Sequence, residues 1–390
     1  SSVEKYDVLF NPGQEKEVAE VEHHNYDQLK KDEADRDEKH KHPAIKVVGP
    51  ATKWELKHHG TYQNGYHPEG WWGHCNGWAS YATAEPLGFP KRDVRVKLDD
   101  AGKIVECQEE ADESCMLFKM ADVEALMTEL YFSDQATFTG RRCNTRPDEI
   151  EKDEYGRPTD VACRDLNPGS LHIAMAGLLG RGAKHLVTQE PDRKPAFVID
   201  HSFDFEVWNF PLVEFEVVSQ DEVNRAEAER LVGVEVEDND EEKKYQFNEK
   251  AQKFVRVRLN YWMVSDSVSQ SELLKPAGDR YVPKSKVELN YVLELDAQDR
   301  ILGGEWIKNP ELSWGDDSKK LHPDFAWMAL EAKGWGEGND DLGGNSDNPH
   351  IAYSKVTAIL KCANDPSTCN AEGGGEEPTE GGGACEDACG

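Results

Sequence analysis

A cysteine set among glycines and tryptophans is the residue pattern in this chain best suited to covalent chemistry. Cys75 lies in the stretch Gly70-Trp71-Trp72-Gly73-His74-Cys75-Asn76-Gly77-Trp78. A thiol attacks as its thiolate. The first turn of a helix favours that anion through free N–H groups and the positive end of the peptide dipole. Gly70 and Gly73 loosen the approach, and the small and aromatic residues from Trp78 to Ala84 have helical spacing up to Pro86. The spacing therefore places Cys75 where a helix begins. Trp71, Trp72 and Trp78 would keep water away from an acyl-enzyme, as transfer to an amine requires.

A thiolate needs a base, and the base needs a group to orient it. Three histidines compete. His74 adjoins Cys75 and would point away from it, His172 follows the Pro168-Gly169 turn, and His201 follows the apolar strand Ala196-Phe197-Val198-Ile199. Asp200 ends that strand and is the expected orienter. A cysteine, then a histidine, then a strand ending in aspartate is the chain order of papain-like thiol enzymes. That order selects His172 with Asp200 and keeps His201 as a rival.

The elements that must carry these residues are partly legible. Residues 93–106 read as a hairpin turning at Asp99-Asp100-Ala101-Gly102. Asp122, Val123, Leu126, Met127 and Leu130 mark an amphipathic helix over 121–132. Asn167-Pro168-Gly169-Ser170 caps a helix from His172 to Arg181. Strands are expected at 196–200, 206–218, 253–266, 286–295 and 301–307, with Val255, Val257 and Leu259 alternating against Arg256, Arg258 and Asn260. Early helices followed by a block of antiparallel strands predict an α+β fold. We divide the chain into a polar N-terminal arm (1–50), a catalytic domain (51–362) and a disordered acidic Gly/Glu-rich tail containing cysteines (363–390).

The 390 residues are 37% hydrophobic, enough to bury a large core. Lys plus Arg number 45 against 76 Asp plus Glu, a formal charge of −31. Such a surface repels phosphate backbones, which argues against nucleic-acid binding, and it stays soluble in salty surroundings. No apolar run approaches the ~18 residues of a membrane span, and Ser1 does not open a signal peptide. His23, His24, His40 and His42 sit in the charged arm and read as solvated.

Eight of the nine cysteines fall as near neighbours: Cys107 with Cys115, Cys143 with Cys163, Cys362 with Cys369, and Cys385 with Cys389. Four local disulfides and one free thiol, Cys75, is the simplest arithmetic for an exported protein, secreted or periplasmic. The absence of a CxxC pair speaks against zinc.

Three further segments carry a resemblance. Trp71-Trp72-Gly73-His74-Cys75-Asn76-Gly77-Trp78-Ala79 resembles the nucleophile segment of the transglutaminase elicitor family, the oomycete cell-wall glycoprotein transglutaminases and their bacterial homologues. Val207-Trp208-Asn209-Phe210-Pro211-Leu212 is similar to that family's Val-Trp-Asn-Gln-Pro-Val recognition core, with Phe210 in place of Gln. Gly303-Gly304-Glu305-Trp306, followed by His322-Pro323-Asp324-Phe325, is the third match. The resemblance runs from about residue 54 to 330. The strand leading to Trp208 also looks like the Asp-bearing strand of phytochelatin synthases.

The resemblance implies a papain-like core, its nucleophile helix packed on an antiparallel sheet with additional strands. It implies a protein-glutamine γ-glutamyltransferase acting through a Cys75 thioester, with His172 and Asp200. A protein glutamine is the donor and a lysine or other amine the acceptor. The backbone N–H of Cys75, with Trp72 or His74, would line the oxyanion site, and Trp208 would pack over the His–Asp pair. Calcium is the implied cofactor. The acidic loops 338–341 and 345–348 offer oxygens without EF-hand spacing, so no ligand residues are assigned. His322 and Asp324 form a second His/Asp set that reads as pinning a loop. Two other functions fit the residues: a papain-like cysteine hydrolase, and a non-enzymatic secreted elicitor-like binding protein.

Overall fold

The computed structural model describes residues 1–14, 16–17, 47–58, 73–84, 87–107, 112, 114–132, 136–153, 157–180, 197–201, 206–232, 247–265, 284–307, 322–329 and 348–369. The charged stretch from Asp238 to Lys244, which reads as a loop or hairpin tip, lies outside them, as do the arm histidines, Trp71, Trp72, most of the acidic loops, Cys385 and Cys389.

The fold is mixed α+β, as the element order predicts. One part is mainly helical. Helix α1 (Ser2–Phe10) opens with a capping box between Ser1 and Glu4. A two-stranded ribbon, β1 (Lys16–Glu17) with β2 (Val47–Val48), leads to α2 (Pro50–His58). Asp7 is buried, and its carboxylate accepts from the N–H groups of Ala51 and Thr52 and from the Thr52 hydroxyl. A side chain that composition would assign to solvent is the N-terminal cap of α2. Tyr6 and Leu9 are buried in the helical core, so the start of the polar arm is a packed element.

Helix α3 (Cys75–Ala84) is followed by the expected hairpin, β3 (Val94–Leu98) and β4 (Ile104–Glu106). Asp99 accepts from the N–H groups of Ala101 and Lys103, and Gly102 takes φ 77°, a left-handed conformation glycine adopts without strain. Strand β5 (Met116–Phe118) pairs on the other side of β3, and Cys107–Cys115 joins β4 to it. Helix α4 (Met120–Leu130) buries Val123, Leu126, Met127 and Leu130 at the predicted spacing. Each such side chain contributes about 1.5–3 kcal/mol on burial. C-terminal α7 (Tyr353–Asn364) adds Val356, Ile359 and Leu360 to the same core. Cys362–Cys369 closes its end.

The other part is a seven-stranded, wholly antiparallel sheet in the order β11-β10-β9-β8-β7-β12-β6. Its strands are β6 (Ala136–Gly140), β7 (Phe197–Asp200), β8 (Asn209–Val223), β9 (Lys253–Val264), β10 (Lys284–Leu295), β11 (Ile301–Trp306) and β12 (Phe325–Ala329). Register shifts in β8 after Leu212 and Val217, and in β10 after Glu294, bend the long strands, and the sheet curls as a half-barrel. β8 starts later and runs further than the 206–218 expected. Helix α6 (Arg225–Val232), unmarked in the sequence reading, packs Leu231 and Val232 with Phe254 and Val292.

Helix α5 (Pro168–Leu179) begins four residues before the predicted His172. Pro168 occupies the first turn, where a missing N–H costs nothing, and Asn167 caps it by accepting from Gly169 and Ser170. The Asn167 amide donates to the Gly304 carbonyl. A Cβ on Gly169 would strike the Gly303 backbone, so the glycines let helix and strand touch.

Side chains alternate along β7. Phe197 and Ile199 join Leu171 and Met175 of α5, whereas Val198 joins Ala79 of α3. The two helices therefore cover opposite faces of the sheet at β7. The expected packing of the Cys75 helix on an antiparallel sheet is present. Helix α3 also belongs to both cores: Tyr81 and Ala84 face the helical one, Ala79 the sheet.

Candidate active site

The first intrahelical bond of α3 runs from the Trp78 N–H to the His74 carbonyl, so Cys75 is the first helical residue. Its own N–H and those of Asn76 and Gly77 precede that bond and have no partner within the helix. The Asn76 amide donates to the Phe132 carbonyl, which fastens the turn to the end of α4. Cys75 is partly exposed and is the free cysteine among the described residues, because Cys107–Cys115, Cys143–Cys163 and Cys362–Cys369 are bonded as the spacing predicts.

Two groups at the start of β8 reach the sulfur. The thiol lies 3.8 Å from the Val207 carbonyl, to which it donates when protonated. The Asn209 side-chain amide donates to Sγ at 3.5 Å. Asn209 is buried, and its carbonyl accepts from the Trp327 indole N–H at 2.8 Å. Asn209 is a site residue that sequence reasoning passed over. It lies inside the Val207–Leu212 motif, next to Trp208, and a single amide there carries no spacing signal.

Asp200 is 1% exposed, lies directly opposite Asn209 in the β7–β8 register and accepts from the Trp208 N–H at 2.9 Å. Two residues on from Val198, it shares the face that α3 covers. The Trp208 ring N–H goes to Glu206 at 2.8 Å.

The histidines are placed separately. His74 turns towards α4, its Nδ1 3.0 Å from a Glu129 oxygen and its ring edge-on to Phe132. His172, on α5, has Nδ1 2.7 Å from the Tyr291 hydroxyl, so the contact that orients this ring is a phenol on β10. His201 has Nδ1 3.2 Å from the Tyr261 hydroxyl, and its backbone N–H donates to the Trp208 carbonyl. Its ring meets Phe210 edge-on, and Phe210 meets Trp78 of α3 in the same way. His322 pairs with Asp165 at 2.9 Å and stacks on Trp306, which ties the segment before α5 to β11.

Burial lowers the His172 and His201 pKa values from the ordinary imidazole value, which favours the neutral ring in both. Burial holds the Tyr291 phenol above its ordinary value. Burial, and then the Asp200 charge, does the same to Tyr261. A consequence for stability follows. Below about pH 6.5 the unfolded chain binds protons at these histidines that the folded chain refuses, so their contribution is full above that pH and lost as the pH falls. The melting temperature is expected to be level above about pH 7 and to drop on acidification. An H172Q/H201Q double variant should lose part of that slope; an unchanged slope would assign it to other groups.

Calcium prefers six to eight oxygen ligands. Among the described residues, three groups have ligand atoms within 4.8 Å of one another, and two of them contain disulfide sulfurs. The third, Glu55 with His74 and Glu129, mixes an imidazole with two carboxylates and suits a borderline transition metal better than calcium. None of these three groups is an all-oxygen cluster, and the acidic loops 338–341 and 345–347 lie outside the described residues.

A family model described as Transglutaminase elicitor matches residues 49–337, which include Cys75, His172, Asp200 and Asn209. No curated protein matches the chain. Among solved structures, the crystal structure of the GP42 transglutaminase from Phytophthora sojae aligns with a TM-score of 0.48 and 23% identity, over 77% of this chain. The alignment covers 65% of that protein, so this chain spans slightly less than two thirds of its length.

Proposed function

The chain belongs to the transglutaminase elicitor family, and from that premise we propose that it is a protein-glutamine γ-glutamyltransferase working through a Cys75 thioester. The observation that carries this reading is the Cys75 thiol. It is partly exposed, opens α3, and stands outside the disulfides that engage the other described cysteines.

The Cys75 sulfur attacks the carboxamide carbon of a peptide-bound glutamine. Free N–H groups of the first turn of α3 face the developing oxyanion, with Trp72 and His74 as the remaining candidates for that wall. A histidine transfers the proton that lets ammonia leave, and a thioester remains. A lysine amine then attacks the thioester carbon, gives up a proton and releases the sulfur, which leaves an isopeptide bond.

His172 as proton carrier and Asp200 as orienter, shielded by Trp208 in a papain-like arrangement, are the proposed pair. The described geometry does not bring them together: Tyr291 holds the His172 ring on the α5 side of the sheet, while Asp200 accepts from the Trp208 N–H on the side that α3 covers. His172 as a base would donate from Nδ1 to Tyr291 and keep Nε2 open. His201 competes because a path of rings links it to α3. Separate H172Q and H201Q variants decide between them. The true carrier loses about 10²-fold or more in kcat, the other far less, and comparable activity in both would remove histidine from the scheme.

The three disulfides support an oxidising compartment, and we assign the protein outside the cell. The partners are a glutamine-bearing protein and a lysine or other primary amine. No described helix is long and apolar enough to cross a membrane. Incorporation of a labelled amine into a glutamine-containing protein tests the activity. Ammonia release with no amine product would replace this reading with a cysteine hydrolase.

A further inference from the structure

We propose that Asn209 is a catalytic residue whose side-chain amide donates a hydrogen bond to the Cys75 sulfur, and that Trp327 is a positioning residue that fixes which end of that amide faces the thiol. The proposal rests on Cys75 being the nucleophile, and it concerns what makes that sulfur reactive.

An asparagine amide has an acceptor end and a donor end of nearly equal size, and its partners decide which way it points. Here one partner is unambiguous. The Trp327 indole nitrogen can only donate, and it lies 2.8 Å from Asn209 Oδ1. With the carbonyl end taken, the NH2 end is turned to Cys75, 3.5 Å from Sγ. The reversed amide would set two N–H donors against each other and a carbonyl oxygen against sulfur. Both side chains are buried, Asn209 at 4% and Trp327 at 6% exposure, so water could not repair the mismatch.

Strand register holds the three groups in place. Asn209 opens β8 opposite Asp200, and Trp327 stands opposite Val198 on the other side of β7. Phe138 stacks on Trp327 at 5.8 Å, which holds the indole plane. The Val207 carbonyl suits the protonated thiol and opposes the anion, whereas the Asn209 N–H suits the anion. Loss of the S–H proton therefore exchanges one partner for the other without moving the backbone.

The test uses the full chain and reads alkylation of Cys75 by iodoacetamide against pH, quantified on the Cys75 peptide by mass spectrometry. Asn209→Ala removes the donor and is expected to slow alkylation at pH 7 by roughly tenfold, with the profile moved to higher pH. Asn209→Asp keeps the size and still accepts from Trp327, but turns an oxygen to the sulfur; it should slow alkylation further. Trp327→Phe keeps an aromatic ring and frees the amide to flip, with a smaller shift in the same direction. N209D reacting at the wild-type rate with an unmoved profile would overturn the proposal, as would a W327F profile identical to wild type. Alkylation does not require turnover. A wild-type protein that incorporates no amine would count against the transferase reading alone, while the alkylation order still decides the role of Asn209.

Discussion

Cys75→Ala is expected to abolish amine incorporation, a loss of about 10⁴-fold or more, and to leave the fold intact. The reason is chemical. Removing the sulfur removes the atom that forms the thioester, and no neighbouring group can take that role, since Val207 presents a carbonyl and Asn209 an amide. The stability cost is small because the residue is partly exposed and sits in the first turn, so less than about 1 kcal/mol is expected. Labelled-amine incorporation measured beside a thermal melt separates the two effects. If the alanine variant keeps its activity, or if wild type and variant are equally inert while any binding is unchanged, the acyl-enzyme scheme fails and the binding-protein alternative takes its place.

Gly77→Val should also damage activity, by about 10²-fold and by a different route. Gly77 lies where α3 crosses α4, and a Cβ there would collide with the Thr128 carbonyl and crowd Phe132, both backbone atoms that cannot rotate away. The helices must separate, at a cost of about 3 kcal/mol. Cys75 lies only two residues away on the same helix, so the separation displaces the sulfur from Asn209. Misplacement of a nucleophile by about 1 Å can cost some 10²-fold in rate. Gly73 is the matched control, since a Cβ there meets nothing within 4 Å. A G73A variant that loses as much stability as G77V would refute the close-approach argument.

Legibility in the sequence followed the range of the interactions involved. The β3–β4 hairpin was readable because its turn is encoded locally, by Asp99 bonding to its own loop and Gly102 taking a positive φ. Helix α4 was readable because a single amphipathic face shows directly in residue spacing. The three described disulfides span short loops, which proximity along the chain anticipates. Helix α1 was hidden because Glu4, Lys5 and Asp7 suggest solvent, while Asp7 is spent on a helix 44 residues away. Strands β6 and β12 are short and acquire meaning only as each other's partners. Asn209 shows the limit most clearly. An amide carries no periodicity, and the contact of Asn209 with the sulfur depends on a strand register that also sets Trp327 against its carbonyl end.

The union of α1 and α7 in one core has a consequence for the order in which the fold can close. The Tyr6 hydroxyl accepts from the Ala352 N–H, and α1 and α7 bury their apolar residues together. Every strand of the seven-stranded sheet lies between residues 136 and 329, so its pairings are all available before α7 is synthesised. The helical core has to wait for α7. Until then α1 leaves Tyr6 and Leu9 without their final neighbours, and Cys362 and Cys369 have not met. The sheet can therefore be complete beside an open half-core, and α3, which packs in both, gains its second flank only when α7 joins α1.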